Sequence, residues 1–351
     1  MSPSPERTAS SRRTGAPGLD FVVVGAAKAG TTTLFNLLRA HPELCLPEGK
    51  ELPYFAAPQH DYYSSPAEFF ADAWRRRGPG QPFGTVTPQY LFGALLGGPP
   101  ERAAPPGASE RIIPGRIREA YPDARLIAIL RDPVARARSQ HRMLALKDRE
   151  RRSFDAAIDA QLRPEALAES RSRPGAMHDS YVVLGEYGRL LQGYLDVFPR
   201  EQLLVLFHEE LERDPAAVCE RTFEFLGVDP AFRPPNLGER YNEGAGRRRF
   251  AWLDPTGWQR TAARSAVLRR LWRRLPRSSR RLALRRFDLA AWRLFLWNRV
   301  AAGEAPPAPD PAGAETLARL RAHYGEDGRL LAELLGVAPP WEEREPEAGR
   351  R

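Results

Sequence analysis

The short run Phe21-Val22-Val23-Val24-Gly25 carries three consecutive valines and no polar residue, and it leads straight into Ala26-Ala27-Lys28-Ala29-Gly30-Thr31-Thr32-Thr33. A continuous apolar run without alternation describes a strand buried on both faces. Such strands belong to parallel sheets, whose connections must cross over. The segment after the loop is amphipathic, with Leu34, Leu37 and Leu38 on one face, and predicts a helix over about Thr31 to Arg39 that His41-Pro42 stops. The same order recurs twice. Arg125 to Leu130 is followed by Arg131-Asp132-Pro133 and a helical stretch through about Lys147. Gln202 to Phe207 is followed by His208-Glu209-Glu210-Leu211 and a helix ending near Leu226-Gly227. Three strand-then-helix units predict an α/β fold, a P-loop-like parallel sheet flanked by helices, with ligands at the carboxyl ends of the strands.

The chain has 351 residues, enough for a sizeable core, and a formal net charge of +9. That charge is unevenly placed. Residues 247–300 hold 16 arginines against Asp254 and Asp288, so the rest of the chain is slightly acidic. Trp252, Trp258, Trp272, Trp292 and Trp297 lie in the same stretch among leucines at helical spacing. It reads as a basic helical C-terminal segment, either with Trp and Leu packed inward or resting on an anionic membrane surface. The expected organisation is a disordered lead-in over 1–18, an α/β core over 19–240, the Arg/Trp-rich segment and a Pro/Ala linker over 241–312, a C-terminal helix packing on the core over 313–340, and a disordered tail over 341–351. Cys45 and Cys219 are the only cysteines, with no metal-ligand spacing, which fits a reducing compartment. No apolar run approaches the ~20 residues of a membrane span, and the lead-in lacks a signal-like apolar core. The expected location is therefore cytoplasmic, peripheral at a membrane if the basic segment binds one; oligomeric state is open.

Two loops carry the chemistry. Small residues from Gly25 to Thr33 let backbone N–H groups approach an oxyanion at a helix N-terminus, with Lys28 and three hydroxyls as further donors. The pattern is not Walker A, because Lys28 precedes Gly30. A ligand-free strand-to-helix turn is the other reading. Arg131, directly after a buried strand, and Ser139, two turns into the next helix, are suited to a second phosphate; Arg131 paired to a carboxylate is the other reading there. Arg136 and Arg138 read as solvated or helix-capping. Only three of the 53 basic residues are lysines, Lys28, Lys50 and Lys147, and the first two lie in motifs.

These residues resemble the sulfotransferases that use 3′-phosphoadenosine 5′-phosphosulfate, in particular the bacterial and heparan-sulfate-type branch. Lys28-Ala29-Gly30-Thr31-Thr32 is similar to that family's 5′-phosphosulfate loop, and Leu130-Arg131-Asp132-Pro133 through Ser139 to its 3′-phosphate motif. Lys50-Glu51-Leu52-Pro53-Tyr54-Phe55, Thr87-Pro88-Gln89-Tyr90, Gly185-Glu186-Tyr187 through Pro199, and Glu209 to Val228 extend the resemblance over about 19–235. It implies that Lys28 stabilises charge on the bridging oxygen, that Gly30, Thr31, Thr32 and Thr33 hold the 5′-phosphate, and that Arg131 and Ser139 hold the 3′-phosphate. Glu51 corresponds to the general base, acting on a hydroxyl or amine of a carbohydrate, lipid-linked or small-molecule acceptor, without a metal.

Some positions depart from the pattern or leave it open. Thr85 and Val86 stand where the carbohydrate branch often has charge. A carboxylate paired with Lys50 or at a helix start is the other reading of Glu51. His141 is the alternative base, although a lone histidine there is more often structural. Arg247 and Arg249, in a Gly-rich basic loop, are candidates to close over the nucleotide, with a solvated loop as the alternative. The rival functions are a P-loop nucleotide kinase and a non-catalytic protein binding polyanions or membrane surfaces; nucleic acid is not an expected partner.

Overall fold

The computed structural model describes residues 18–56, 65–92, 109–146, 149–172, 180–239, 241 and 312–342. The chain divides into two compact units, one of residues 1–137, 158–241 and 313–351, the other of residues 138–157 and 242–312. The division does not follow the expected core of 19–240, since residues 138–157 fall in the second unit. The Arg/Trp-rich stretch 247–300 lies outside the described residues.

In the first unit a four-stranded parallel sheet is ordered β2-β1-β3-β4. The strands are β1 (Phe21–Gly25), β2 (Gly84–Val86), β3 (Arg125–Leu130) and β4 (Leu203–Phe207). β1 pairs with β2 through Phe21–Gly84 to Val23–Val86 and with β3 from Phe21–Arg125, while β3 pairs with β4 from Leu126–Leu203 to Leu130–Phe207. Both faces are covered, which is why the strands read as unbroken apolar runs. Val22, Val24, Leu126, Ala128 and Leu130 face one core with Tyr90, Ile117 and Leu191. Phe21, Val23, Ile127 and Ile129 face the other with Leu34, Leu37, Leu38, Val218 and Phe223. The helices supplying those partners other than Tyr90 are α1 (Thr31–Ala40), α3 (Ile112–Ala120), α7 (Tyr187–Leu195) and α9 (Pro215–Leu226). Helix α2 is Pro66–Trp74, α4 Pro133–Ala145, α5 Phe154–Gln161, α6 Pro164–Ser172 and α8 His208–Arg213. A 3₁₀ turn, Pro88–Phe92, follows β2.

β2 was not foreseen: three residues, one of them glycine, give too short a pattern to read as a strand. Arg136 also corrects an expectation. It is fully buried rather than solvated, and its guanidinium donates to the Tyr181 carbonyl. A buried carbonyl needs a donor, and the long stem and fixed fork of arginine reach it.

The last described helix, α10 (Ala314–Leu335), lies against α7. Its Asp327 accepts the backbone N–H groups of Gly188 at 2.9 Å and Arg189 at 2.8 Å, so α10 caps α7, which has no side-chain cap of its own. The close approach needs Gly188, where a Cβ would sit 2.4 Å from the Asp327 carbonyl oxygen. Beside this contact Glu186 accepts from Arg171 and Arg189 and lies 3.0 Å from His323 Nε2. Burial raises the Glu186 pKa, but His323 and the two arginines outweigh it and hold the carboxyl down at about 2.

In the second unit, the described residues include the later part of α4. In the same unit, after α4, the buried Glu150 carboxylate accepts from the N–H groups of Arg151 and Arg152 at 3.0 Å and pairs with the Arg152 guanidinium at 2.7 Å. His141 Nε2 lies 3.0 Å from the Arg152 carbonyl, with its ring edge-on to Phe154.

Burial pushes the Asp327 carboxyl up to about 6, against the pull of the two N–H donors and Arg189. A carboxyl raised in the folded state binds its proton more tightly there, so its contribution is full below the ordinary aspartate range and is lost as pH rises through about 6. Thermal unfolding at pH 5 and pH 7 is expected to show a gain at the lower pH that Asp327→Asn removes. Asp327→Ala should cost about 1 kcal/mol through the lost cap. Equal pH profiles for the wild type and Asp327→Asn would contradict this account.

Candidate functional site

The chain turns from β1 to one neighbour, β2, and then crosses to the other, β3. That reversal opens a crevice at the carboxyl ends of β1 and β3, the place where open parallel sheets hold ligands. The loop after β1 and the residue after β3 meet in it: Arg131 Nη1 donates to the Lys28 carbonyl at 3.3 Å.

The loop is shaped by two left-handed residues, Lys28 at φ 73° and Gly30 at φ 90°. A non-glycine residue in that region costs of order 1 kcal/mol and persists where the surroundings fix it. Gly30 is the N-cap of α1 and has no side chain to offer, and α1 has no acidic residue in its first turn. The N-terminal N–H groups and positive dipole end of α1 are therefore not neutralised by a cap or a nearby acid, which is the arrangement that attracts oxyanions.

His208, the first residue after β4, closes another side of this loop. A Cβ on Gly30 would stand 2.8 Å from its Nδ1, so only glycine admits the ring there. Nδ1 is buried without a hydrogen-bond partner, whereas Nε2 lies 3.5 Å from Glu212. Burial, reinforced by the Arg131 guanidinium, lowers the imidazole pKa, and Glu212 pulls it back in part. The next residue, Glu209, accepts the Asp132 N–H at 3.1 Å, and Asp132 Oδ1 accepts from Val134 N at 2.9 Å, fixing the turn that aims Arg131.

The segment holding Glu51 is pinned by the turn after β2. Thr87 Oγ1 accepts from Leu52 N at 3.1 Å, Phe55 N donates to the Tyr90 hydroxyl at 3.3 Å, and that hydroxyl donates to the Leu52 carbonyl. Tyr194 in α7 holds the Tyr90 carbonyl at 2.6 Å. Glu51 is exposed; one carboxylate oxygen lies 3.5 Å from Lys50 Nζ and the other accepts from Gln89 Nε2 at 2.5 Å. Lys50 Nζ also donates to Thr31 Oγ1 at 3.1 Å and Thr32 Oγ1 at 3.0 Å. Burial lowers the Lys50 pKa, and Glu51 opposes that shift.

The structure thus gathers Lys28, Gly30, Thr31, Thr32, Thr33, Arg131 and Glu51 in one unit around the first turn of α1. Ser139 lies in α4 within the second unit. Arg247 and Arg249 lie outside the described residues. Lys50, Gln89 and His208 join the site without having been singled out for it. The scarcity of lysine pointed toward Lys50; Gln89 lies in the Thr87-Pro88-Gln89-Tyr90 match and His208 directly after a predicted strand, but neither was assigned a role.

A sulfotransferase family model matches residues 113–233. Heparan sulfate glucosamine 3-O-sulfotransferase 3B1 of Mus musculus is 28% identical over 210 residues, covering 59% of this chain and 45% of that protein. The bifunctional heparan sulfate N-deacetylase/N-sulfotransferase 3 of Homo sapiens is 30% identical over 221 residues, 60% of this chain and 22% of that one. The chain therefore spans less than half the length of these curated relatives. A crystal structure of a sulfotransferase from Alicyclobacillus acidocaldarius superposes with a TM-score of 0.51 at 27% identity, covering 78% of this chain and 98% of that one.

Gly30→Ala combines a strained φ with a clash against His208. It is expected to lower stability by about 2 kcal/mol, read as a fall in the unfolding midpoint in urea. An unchanged midpoint would mean that the loop does not hold the left-handed turn.

Proposed function

We propose that this member of the sulfotransferase family moves a sulfuryl group from 3′-phosphoadenosine 5′-phosphosulfate to a hydroxyl or amine of a carbohydrate. The observation that carries the reading is that the Lys28 loop and Arg131 meet at adjacent strand ends, where Arg131 Nη1 donates to the Lys28 carbonyl. An anion-holding loop and a guanidinium at neighbouring strand ends suit a nucleotide with phosphates at both ends of its ribose. The buried His208 Nδ1 that packs on Gly30 without a hydrogen-bond partner fits such a ligand. The carbohydrate acceptor is inferred from the relatives, whose names specify heparan sulfate.

When bound, the donor supplies an electrophilic sulfur and a phosphate leaving group. The N–H groups opening α1, with Thr31 to Thr33, hold the 5′-phosphate, and Arg131 holds the 3′-phosphate. Glu51 takes the acceptor's proton as the acceptor atom's electron pair forms its bond to sulfur. Lys28 steadies the electron pair that passes to the phosphate oxygen as the old sulfur–oxygen bond breaks. Fixed cations and N–H donors suffice for this charge, so the reading needs no metal. Gln89, bonded to Glu51, keeps the carboxylate turned toward the acceptor. A kinase reading has no comparable support, because the loop lysine precedes Gly30.

The two free, buried cysteines, Cys45 and Cys219, accord with work in a reducing compartment, and we place the protein in the cytoplasm. Contact with an anionic membrane surface through 247–300 rests on the 16 arginines there.

The wild type is expected to be retained on immobilised adenosine 3′,5′-bisphosphate and Arg131→Ala to pass through. With labelled donor and a panel of carbohydrates, Glu51→Gln should keep that retention while transfer falls by about 10²- to 10⁴-fold. A wild type indifferent to the bisphosphate would overturn the reading. Full turnover by Glu51→Gln would overturn the base assignment alone.

A further inference from the structure

We infer that Lys50 is a further catalytic residue of this site, its ammonium binding the oxygens of the sulfuryl group as it passes between phosphate and acceptor. The inference rests on the sulfotransferase reading above and deepens it.

Lys50 Nζ touches both halves of the site. On one side it donates to the hydroxyls of Thr31 and Thr32, the first two residues of α1, at 3.1 and 3.0 Å. On the other it stands 3.5 Å from the Glu51 carboxylate. In-line transfer sets base, acceptor atom, sulfur and leaving oxygen in sequence. The path from Glu51 to the start of α1 is that sequence in this fold, and the ammonium touches both ends of it. As the bond from the acceptor atom to sulfur forms and the bond from sulfur to the phosphate oxygen breaks, the three sulfuryl oxygens that stay on sulfur point sideways from this axis. A cation beside the axis meets them, whereas Lys28 meets the oxygen that departs.

The ammonium is also placed in advance. Two residues after Lys50, both the N–H and the carbonyl of Leu52 are held, by Thr87 and Tyr90. The side chain is only 18% exposed, so water screens its charge weakly. Its partners in α1 are neutral hydroxyls, which can turn to donate to an arriving phosphate and release the ammonium's N–H groups toward the sulfuryl oxygens. A preorganised donor that reorganises so little is the kind that favours a transition state over a ground state.

The rival role is a strap that merely ties the Glu51 segment to α1. Lys50→Met keeps length and removes charge, and Lys50→Arg keeps charge. Two measurements separate the roles: calorimetric binding of adenosine 3′,5′-bisphosphate, which has no sulfuryl group, and steady-state transfer. For Lys50→Met the bisphosphate affinity should stay within about threefold of wild type while kcat falls about 100-fold with little change in the donor KM, and Lys50→Arg should recover part of kcat. Bisphosphate affinity falling by the same factor as kcat, or full kcat in Lys50→Met, overturns the inference while wild-type transfer stands. A wild type that neither binds the bisphosphate nor transfers sulfate overturns the sulfotransferase reading and this inference with it.

Discussion

Arg131 reaches the Lys28 carbonyl because β1 and β3 are neighbours in the sheet though about a hundred residues apart in the chain. The sheet order β2-β1-β3-β4 makes the β1–β3 boundary the place where the chain reverses direction across the sheet. Connections leave the two strands toward opposite edges there, and the gap between them cannot be filled by either. Everything else at the site depends on that gap. α1 points its N-terminus into it, Glu209 steadies the turn that carries Arg131, and His208 enters from β4 to pack on Gly30.

The second half of the site is attached by side chains rather than by the sheet. β2 ends where Thr87 and the Tyr90 turn begin, and these two residues, with Tyr194 behind them, take the free backbone groups of Leu52 and Phe55. A segment with little regular structure of its own thereby gains fixed partners for its N–H and carbonyl groups, which a loop at a sheet edge otherwise gives to water. Lys50 and Glu51 are the last residues before this clamp, so a carboxylate and an ammonium are presented to the start of α1 without either belonging to a helix or strand.

What could be read in the sequence follows from how each element announces itself. β1 and β3 stand where the apolar runs stand, and β4 starts one residue later than its run, because helices cover both faces of the sheet and these strands are almost wholly apolar. β2 is an edge strand of three residues and carries no such signal. The anion loop was legible because its chemistry is backbone chemistry, and small residues before a helix display it directly. Lys50, Gln89 and His208 reach the site through contacts with residues 18 to 178 positions away, and no local pattern encodes such contacts. Arg136 was misjudged for the related reason that the Tyr181 carbonyl it satisfies comes from another part of the chain.

The end of β2 shows why the charge on this side lies in the 50–51 segment. Val86, the last residue of the strand, is buried in the core on the α1 side of the sheet. Thr85 is equally buried, its hydroxyl 3.1 Å from that of Thr87. A lysine or a carboxylate at either position would have to leave water without a partner of opposite sign, at a cost of several kcal/mol. Lys50 and Glu51 avoid that cost, since they partner each other, keep part of their surface in solvent and still meet the threonines of α1. The clamp made by Thr87 and Tyr90 therefore does for this chain what a charged strand end would do elsewhere: it carries fixed charge to the crevice from the one direction the sheet leaves open.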